Sequence, residues 1–305
     1  MKKLDIPFGP ALCYSGYREG QSPDTDVYPT YEQIKEDLLI LAPRWKYLRV
    51  YDCSPHTQTL LQVIENEGFD FKVMLGVYIG AEVNNPGCPW GGMYEPEQLE
   101  LNRRLNLEQI GVAIELANRY PDIIFSVSAG NEATVDWNDH MVPVERVIEY
   151  VRLLKKGIRQ PVTFCENYYP WLWKLAKLVD EVDFLSIHTY PIWEYKKIHE
   201  ALEFTQENYY AIAEKYPHKP VIITEAGWTT KSNGRGMPPE NANEELQKIY
   251  LDQLEKWTTE NEILTFVFEA FDEPWKGSED PNEPEKHWGL YGVDRKAKMV
   301  TKDRE

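Results

Sequence analysis

Two glutamates close short apolar runs in this chain: Glu132 in Ser-Ala-Gly-Asn-Glu and Glu225 in Ile-Ile-Thr-Glu-Ala-Gly-Trp, 93 residues apart. A pair of carboxyl groups about 5–5.5 Å apart can cleave a glycosidic bond with retention, one acting as acid and the other as nucleophile. If each repeat of strand, helix and connections takes about 30 residues, as eight repeats in a roughly 250-residue barrel require, the gap is three repeats. Both carboxyls then face the same end of one barrel. The acid must keep a proton near neutrality, which burial or the second carboxylate has to arrange.

Asn131, immediately before Glu132, can bond the sugar hydroxyl beside the reacting carbon, a contact that strengthens as charge develops. This neighbour assigns Glu132 as acid/base and Glu225 as nucleophile. A lone glutamate at a strand end more often caps a helix or pairs with an arginine; two in these settings weigh against that reading. Asp52, Glu166, Glu269, Asp272 and Glu273 also fall at strand ends, and spacing alone does not exclude Glu166.

The elements that must position these residues follow from the pattern of apolar runs. Eight runs rich in β-branched and aromatic residues are predicted as strands: 8–17, 47–52, 71–79, 123–132, 161–167, 183–191, 220–228 and 264–275. Several are continuously apolar, as in a parallel sheet covered on both faces. Helical spacing is predicted over 31–41, 57–67, 107–119, 144–156, 198–215 and 243–258. Alternation of strand and helix argues for α/β, and eight repeats argue for a single (β/α)8 barrel spanning 1–305. Long irregular stretches at 80–92, 229–240 and 277–287 follow the third, seventh and eighth strands, on the face where barrels carry their sites. Gly234-Arg235-Gly236 reads as a mobile rim loop. Neither a Gly-x-Gly-x-x-Gly opening a helix nor a Gly-Lys-Thr of the Walker type supports a nucleotide-binding fold.

The formal charge of -17 and pI near 4.9 argue against nucleic acid or an anionic membrane as partner and for an uncharged substrate, although surplus acid also keeps a surface solvated. Cys13, Cys53, Cys88 and Cys165 are too scattered for a disulfide framework, and no His-Glu-x-x-His or Cys-x-x-Cys spacing occurs, so neither a metal nor any other cofactor is expected. No stretch reaches the ~18 apolar residues of a membrane span. The opening Met-Lys-Lys-Leu-Asp-Ile-Pro lacks a signal segment; a secreted or periplasmic setting, with its leader cut away, is the expectation.

Eight of the ten tryptophans (Trp90, Trp137, Trp171, Trp173, Trp193, Trp228, Trp275 and Trp288) fall on the carboxyl side of predicted strands, whereas Trp45 and Trp257 do not. Indoles can cover the flat C–H faces of sugar rings, so this one-sided distribution favours a sugar cleft over core packing. Arg18 and Arg49 are read either as hydroxyl ligands or as partners of an active-site carboxylate, and His188 as a wall histidine.

These motifs carry a family resemblance. Gly-Asn-Glu and Thr-Glu-Ala-Gly-Trp look like the acid and nucleophile motifs of the clan of retaining β-glycosidases on (β/α)8 barrels. Together with residues 14–23, Leu-Arg-Val-Tyr-Asp (48–52), His-Thr-Tyr-Pro-Ile-Trp-Glu (188–194), Phe-Asp-Glu-Pro-Trp-Lys (271–276) and Trp-Gly-Leu-Tyr (288–291), the chain resembles glycoside hydrolase family 17, closer to its microbial branch than to plant enzymes. The resemblance implies a hydrolase acting on β-1,3-glucan such as laminarin, with Glu132 as proton donor and Glu225 as nucleophile. It implies that Glu273 and Lys276 stand beside the nucleophile, with the Lys276 ammonium favouring ionised Glu225, and that Tyr190 touches it. Arg49, Asp52, Glu166, Trp193, Trp228 and Trp275 complete the expected substrate-binding set. Thr-Glu-Ala-Gly-Trp-Thr-Thr and His-Thr-Tyr-Pro depart from the usual versions of their motifs, which bears on subsite preference more than on reaction class. A β-1,3-glucan glucosyltransferase with the same pair is the first alternative; a β-1,4-acting clan member and a non-catalytic glucan-binding barrel are the others. Endo or exo action stays open at this level.

Overall fold

The structure, a computed structural model, describes residues 6–302; Met1–Asp5 of the opening segment and the last three residues of the 1–305 span lie outside the described residues. Eight parallel strands close on themselves in sequence order: β1 (Ala11–Cys13), β2 (Tyr47–Arg49), β3 (Lys72–Gly76), β4 (Ile124–Asn131), β5 (Val162–Asn167), β6 (Leu185–Thr189), β7 (Val221–Ala226) and β8 (Thr265–Val267), with β8 pairing back onto β1. The main helices are α1 (Tyr31–Leu41), α2 (Pro55–Glu67), α3 (Pro96–Arg119), α4 (Val144–Gly157), α6 (Ile198–Lys215) and α7 (Glu244–Glu260), with short α5 (Tyr168–Trp171) and α8 (Met299–Lys302). The chain is thus a (β/α)8 barrel.

Local chemistry sets these boundaries. Thr30 and Gln33 form a reciprocal capping box at the start of α1, and Asn243 caps α7 through the Leu246 amide, each satisfying amides the first helical turn leaves unpaired. Proline stands at the first position of α2 and α3, where its missing N–H costs nothing. One face of each helix is apolar, for example Ile34, Leu38 and Leu41 on α1 and Leu60, Leu61 and Ile64 on α2, and packs on the outside of the barrel.

Each predicted strand contains an observed one, but the ladders are shorter at both ends of the chain. After Val267 the ladder becomes irregular but the backbone stays bonded to both neighbouring strands, the Phe268 amide to Ala226 O and the Ala270 amide to Cys13 O, each at 2.9 Å; it turns away by Asp272, whose amide bonds Tyr291 O at 2.9 Å, so residues 271–275 contribute to the mouth of the barrel. Helix α3 begins eleven residues before its predicted start. Its first turns carry Leu101, Leu105 and Leu107 exposed, so the apolar stripe that reveals a helix starts only where α3 meets the barrel. Helical spacing predicts no helix after β5, and that segment holds only the one-turn α5 with Pro170 inside it. No helix among the described residues is long and apolar enough to cross a membrane, and all four cysteines are free.

Candidate active site

Glu225 stands near the end of β7, in register with His188 of β6. Arg49, reaching across the barrel from β2, bonds one carboxylate oxygen of Glu225 together with Thr224 O at 3.2 Å, while its other arm bonds Asn131 Oδ1. The Tyr51 hydroxyl donates to the same Glu225 oxygen at 3.0 Å and the Tyr190 hydroxyl donates to the other at 2.5 Å. Burial alone raises a carboxyl's pKa, but here the His188 and Arg49 charges and the Tyr190 hydrogen bond outweigh it and hold Glu225 down to about 2. Tyr190 is pushed well above the ordinary phenol range by burial and by Glu225, so it remains a donor.

Glu132 follows β4 with a positive φ of 45°, just after Gly130 at φ 127°. A Cβ at Gly130 would meet Ile79 Cδ1 at 2.7 Å, so glycine is required where the strand end turns the next two side chains into the mouth. The Glu132 amide bonds Cys165 O at 2.9 Å and its carbonyl accepts from Asn138 Nδ2 at 2.6 Å, which fixes the backbone. Its side chain is 25% exposed, against 7% for Glu225. His188 Nδ1 lies 2.8 Å from Glu132 Oε1 and 3.4 Å from Glu225 Oε2. Burial lowers the pKa of an imidazole, but Glu225 above all, then Cys165 and Glu132, raise that of His188 to about 10. One imidazolium therefore bridges the two carboxyl groups. An oxygen of Glu132 and an oxygen of Glu225 lie within 4.8 Å of each other.

A second buried group sits at the β8 side. Lys276 Nζ pairs with Glu269 Oε2 at 3.3 Å and with Glu273, which also accepts from Ser15 and, at 3.1 Å, from Trp275 Nε1. Burial and the neighbouring Glu273 push Glu269 well above the usual carboxyl range, while Lys276 keeps Glu273 below it despite burial. The expectation that Lys276 holds Glu225 ionised is corrected: Lys276 is committed to Glu269 and Glu273, and the cations on the nucleophile candidate are Arg49 and His188.

Other expected site residues fall in different places. Both Glu166 oxygens are taken, one by the Thr134 amide and hydroxyl at 2.9 and 2.6 Å and the other by the Asn167 amide at 2.7 Å. Glu166 therefore braces the segment after Glu132 and does not face a ligand; burial and Glu132 push it up to about 7. Asp52 Oδ1 accepts from the Ser54 amide and the Thr57 hydroxyl at the start of α2. Trp228 is wholly buried, donating to Asn241 O and packed against Tyr250, so it is a core residue and no sugar platform; Trp171 and Trp288 are buried likewise. Trp193 and Trp275 are half-buried, Trp193 tilted against Trp288 and Trp275 edge-on to Tyr17. Arg18 bonds Glu36 and Asp37 of α1 and has no part in the mouth. The Gly234–Gly236 loop is pinned, Arg235 bonding Glu283 at 2.7 Å and Trp193 lying under Gly236.

Tyr51 stands inside Leu-Arg-Val-Tyr-Asp with no role expected of it, and His188 is expected to be a wall residue. The signal for Tyr51 was its place two residues after Arg49, on the same side of the extended chain. Nothing in the sequence signals that His188 bridges two carboxyls whose strands are far apart along the chain. Glu132, His188 and Glu225 offer an oxygen, a nitrogen and an oxygen close enough to hold a cation. The Arg49 guanidinium on Glu225 and the charged imidazole already fill that role, so the donor set fits a proton-transfer site better than a resident metal.

Residues 11–289 match the BtgE/BtgC glycoside hydrolase domain. The chain is 25% identical over 304 residues to a probable glucan endo-1,3-beta-glucosidase (btgC) of Aspergillus clavatus, covering 90% of this chain and 40% of that protein. It is 28% identical to a glucan 1,3-beta-glucosidase of Arthroderma benhamiae over 58% of this chain and 61% of the relative; the chain thus spans 40% to 61% of the length of these curated relatives. Among solved structures it superimposes on an endo-laminarinase from Formosa Hel1_33_131 with a TM-score of 0.81 at 29% identity, covering 97% of this chain and 86% of that one. A glycoside hydrolase family 17 beta-1,3-glucanosyltransferase from Rhizomucor miehei shares the fold, with a TM-score of 0.72 at 22% identity over 95% of both chains. With the matched span running from the first strand to beyond the eighth, the chain belongs to the BtgE/BtgC glycoside hydrolase family.

Proposed function

We propose that this chain is a single-domain retaining glycoside hydrolase of the family 17 type that cleaves β-1,3-glucan. The observation that carries the reading is the pair itself: Glu225, held ionised by Arg49, His188 and two tyrosine hydroxyls, with Glu132 across from it and an oxygen of each within 4.8 Å. That gap suits the direct attack of a retaining pair, with carboxyls about 5–5.5 Å apart, better than the about 6.5–9.5 Å that an interposed water needs.

In the first step a Glu225 oxygen attacks the anomeric carbon, the bond to the leaving oxygen breaks, and Glu132 delivers its proton to that oxygen. In the second step Glu132 takes a proton from water, whose oxygen attacks the same carbon and frees Glu225. Arg49 couples this centre to Asn131 by holding Asn131 Oδ1, which leaves the amide nitrogen of Asn131 to meet a sugar hydroxyl. The relatives named for β-1,3-glucan support the substrate class. A time course on linear β-1,3-gluco-oligosaccharides, with products separated by size, tests the reading. Shorter products from the parent chain and none from Glu225→Ala are expected; undiminished cleavage by Glu225→Ala, or no cleavage of these oligosaccharides by the parent, sinks it.

A further inference from the structure

The peptide groups on either side of Glu132 are held from outside its strand. The Glu132 amide bonds Cys165 O and its carbonyl accepts from Asn138, while the carbonyl before it, Asn131 O, lies 3.0 Å from His140 Nε2. Asn138 and His140 belong to the connection between β4 and α4, which is closed at its base by the Val142 amide on Ala133 O at 2.8 Å. Asn85 steadies the same connection, its Nδ2 bonding Asp136 O at 2.9 Å and Asn138 O at 2.7 Å. A non-glycine residue at a φ of 45° keeps that conformation only where its surroundings impose it. The His140 contact bears on the peptide that joins Asn131 to Glu132, and so on both side chains at once.

The charge of His140 follows from its two partners. Its Nδ1 meets Asp139 Oδ1 at 2.9 Å and its Nε2 meets Asn131 O at 3.0 Å. A carboxylate and a peptide carbonyl both accept and neither donates, whereas a neutral imidazole has one donor nitrogen and one acceptor. Only the imidazolium satisfies both contacts; a neutral ring of either tautomer turns a lone pair on one of them. The titratable groups around the ring, among the described residues, are Asp139, Glu132 and the phenol of Tyr78, which comes from the connection after β3 and lies at a centroid distance of 5.8 Å. Burial and Asp139 push Tyr78 up to about 12, so it stays neutral. Tyr94, from the segment leading into α3, donates to Asp139 O at 2.8 Å and fixes the backbone of the carboxylate. Burial lowers the pKa of an imidazole, but the Asp139 hydrogen bond, the Asn131 carbonyl and the Asp139 and Glu132 charges outweigh it and raise that of His140. The same hydrogen bond holds Asp139 below the usual carboxylate range.

We propose that His140, as an imidazolium braced by Asp139, is a positioning residue for the reaction: by donating to Asn131 O it fixes the peptide that aims the Asn131 amide at the sugar and the Glu132 carboxyl at the leaving oxygen. The inference rests on the proposed hydrolase reading for the roles of those two side chains. Whereas His188 bridges the carboxyl groups themselves, His140 acts through the backbone, so its loss slows the chemical step and leaves substrate binding nearly as it was.

The test has two arms, both on the full chain. In the first, the parent carrying isotope-labelled histidine is titrated by NMR, with the His140 resonances assigned by their absence from His140→Gln. The ring should titrate above the ordinary value of about 6.5, with both nitrogens protonated below its midpoint; a midpoint at or below that value overturns the assignment. In the second, kcat and KM are measured on linear β-1,3-glucohexaose. His140→Phe should lose about tenfold or more in kcat, the scale of a hydrogen bond from a charged donor, with KM moved by less than about twofold. His140→Gln, whose side-chain amide can donate to the same carbonyl, should restore most of that loss. A kcat in His140→Phe within about twofold of the parent's, whether or not KM moves, overturns the proposal, and so does a His140→Gln variant as slow as His140→Phe. A parent chain that cleaves nothing contradicts the hydrolase reading itself, while the NMR arm decides the charge of His140 independently of turnover.

Discussion

Replacing His188 by Asn removes the cation that bridges the two carboxyl groups while leaving an amide donor near the same place. His188 Nδ1 is 3.4 Å from Glu225 Oε2, and at an effective dielectric of about 20 such a pair is worth about 5 kcal/mol before relaxation. Opposite charges at this range realise pKa shifts of about 1–3 units in proteins. Glu225, now held at about 2 against its burial, keeps Arg49, Tyr51 and Tyr190 in the variant and should titrate about 2 units higher. The pH profile of kcat/KM on an aryl laminaribioside reports the free enzyme's groups. In the parent it should stay flat on the acid side down to the point where the fold fails, and in His188→Asn it should bend near pH 4. The stability profile moves with it. Glu225 contributes stability that is present above its unfolded value and lost as pH falls through about 2; His188 contributes stability present below its unfolded value and lost as pH rises through about 10. The variant forfeits the second contribution, so its Tm should fall most below pH 6 and converge on the parent's above pH 10. An acid limb that stays in place in His188→Asn refutes the claim that this imidazolium holds the nucleophile ionised.

Three further outcomes follow from the same geometry. Tyr190→Phe deletes the 2.5 Å hydrogen bond to Glu225, and since bonds to charged groups contribute about 1.5–3 kcal/mol, kcat/KM should drop roughly 10- to 100-fold; a change under twofold would mean the bond is idle. Glu166 is raised to about 7, so its stability contribution is present below its unfolded value and is lost as pH rises through 7. Glu166→Gln should flatten the fall in Tm between pH 5 and 8, and a slope identical to the parent's counts against the assignment. Asp37, fully buried, receives Arg18, Arg295 and Tyr14; Asp37→Ala strands these charges and should cost about 3–5 kcal/mol in urea unfolding, while a loss under about 1 kcal/mol would show the network to be dispensable.

The barrel was legible because its strands are buried on both faces, which writes them as unbroken runs of β-branched and aromatic residues. It was less legible where an element projects from the barrel. The start of α3 exposes its leucines and so loses the stripe that marks a helix. The paired glutamates could be read from the shape of their motifs, since both end apolar strands and one follows an asparagine. Of their supports, Tyr190 and one of two readings of Arg49 could be anticipated, but which carboxylate each cation serves could not, because that is set by side chains that cross the barrel: Arg49 from β2 reaches β7 and β4, and Lys276, expected to serve Glu225, pairs with Glu269 and Glu273 instead. Tryptophan position on the carboxyl side of a strand proved a mixed signal. Trp228 and Trp171 use the same connections to fill the layer between barrel and helices, where an indole N–H finds a carbonyl, whereas Trp137 and Trp173 stand clear of it.

The central claim is that Glu225 forms a covalent bond to the sugar while Glu132 handles the proton. Incubating the protein with a 2-deoxy-2-fluoro-β-laminaribiosyl fluoride, digesting it and sequencing the labelled peptide by mass spectrometry tests this directly. The account predicts one fluorosugar on Glu225, activity lost in step with labelling, and an unlabelled Glu225→Gln variant. Label on any other carboxylate, or turnover that inverts the anomeric centre without any label, contradicts it.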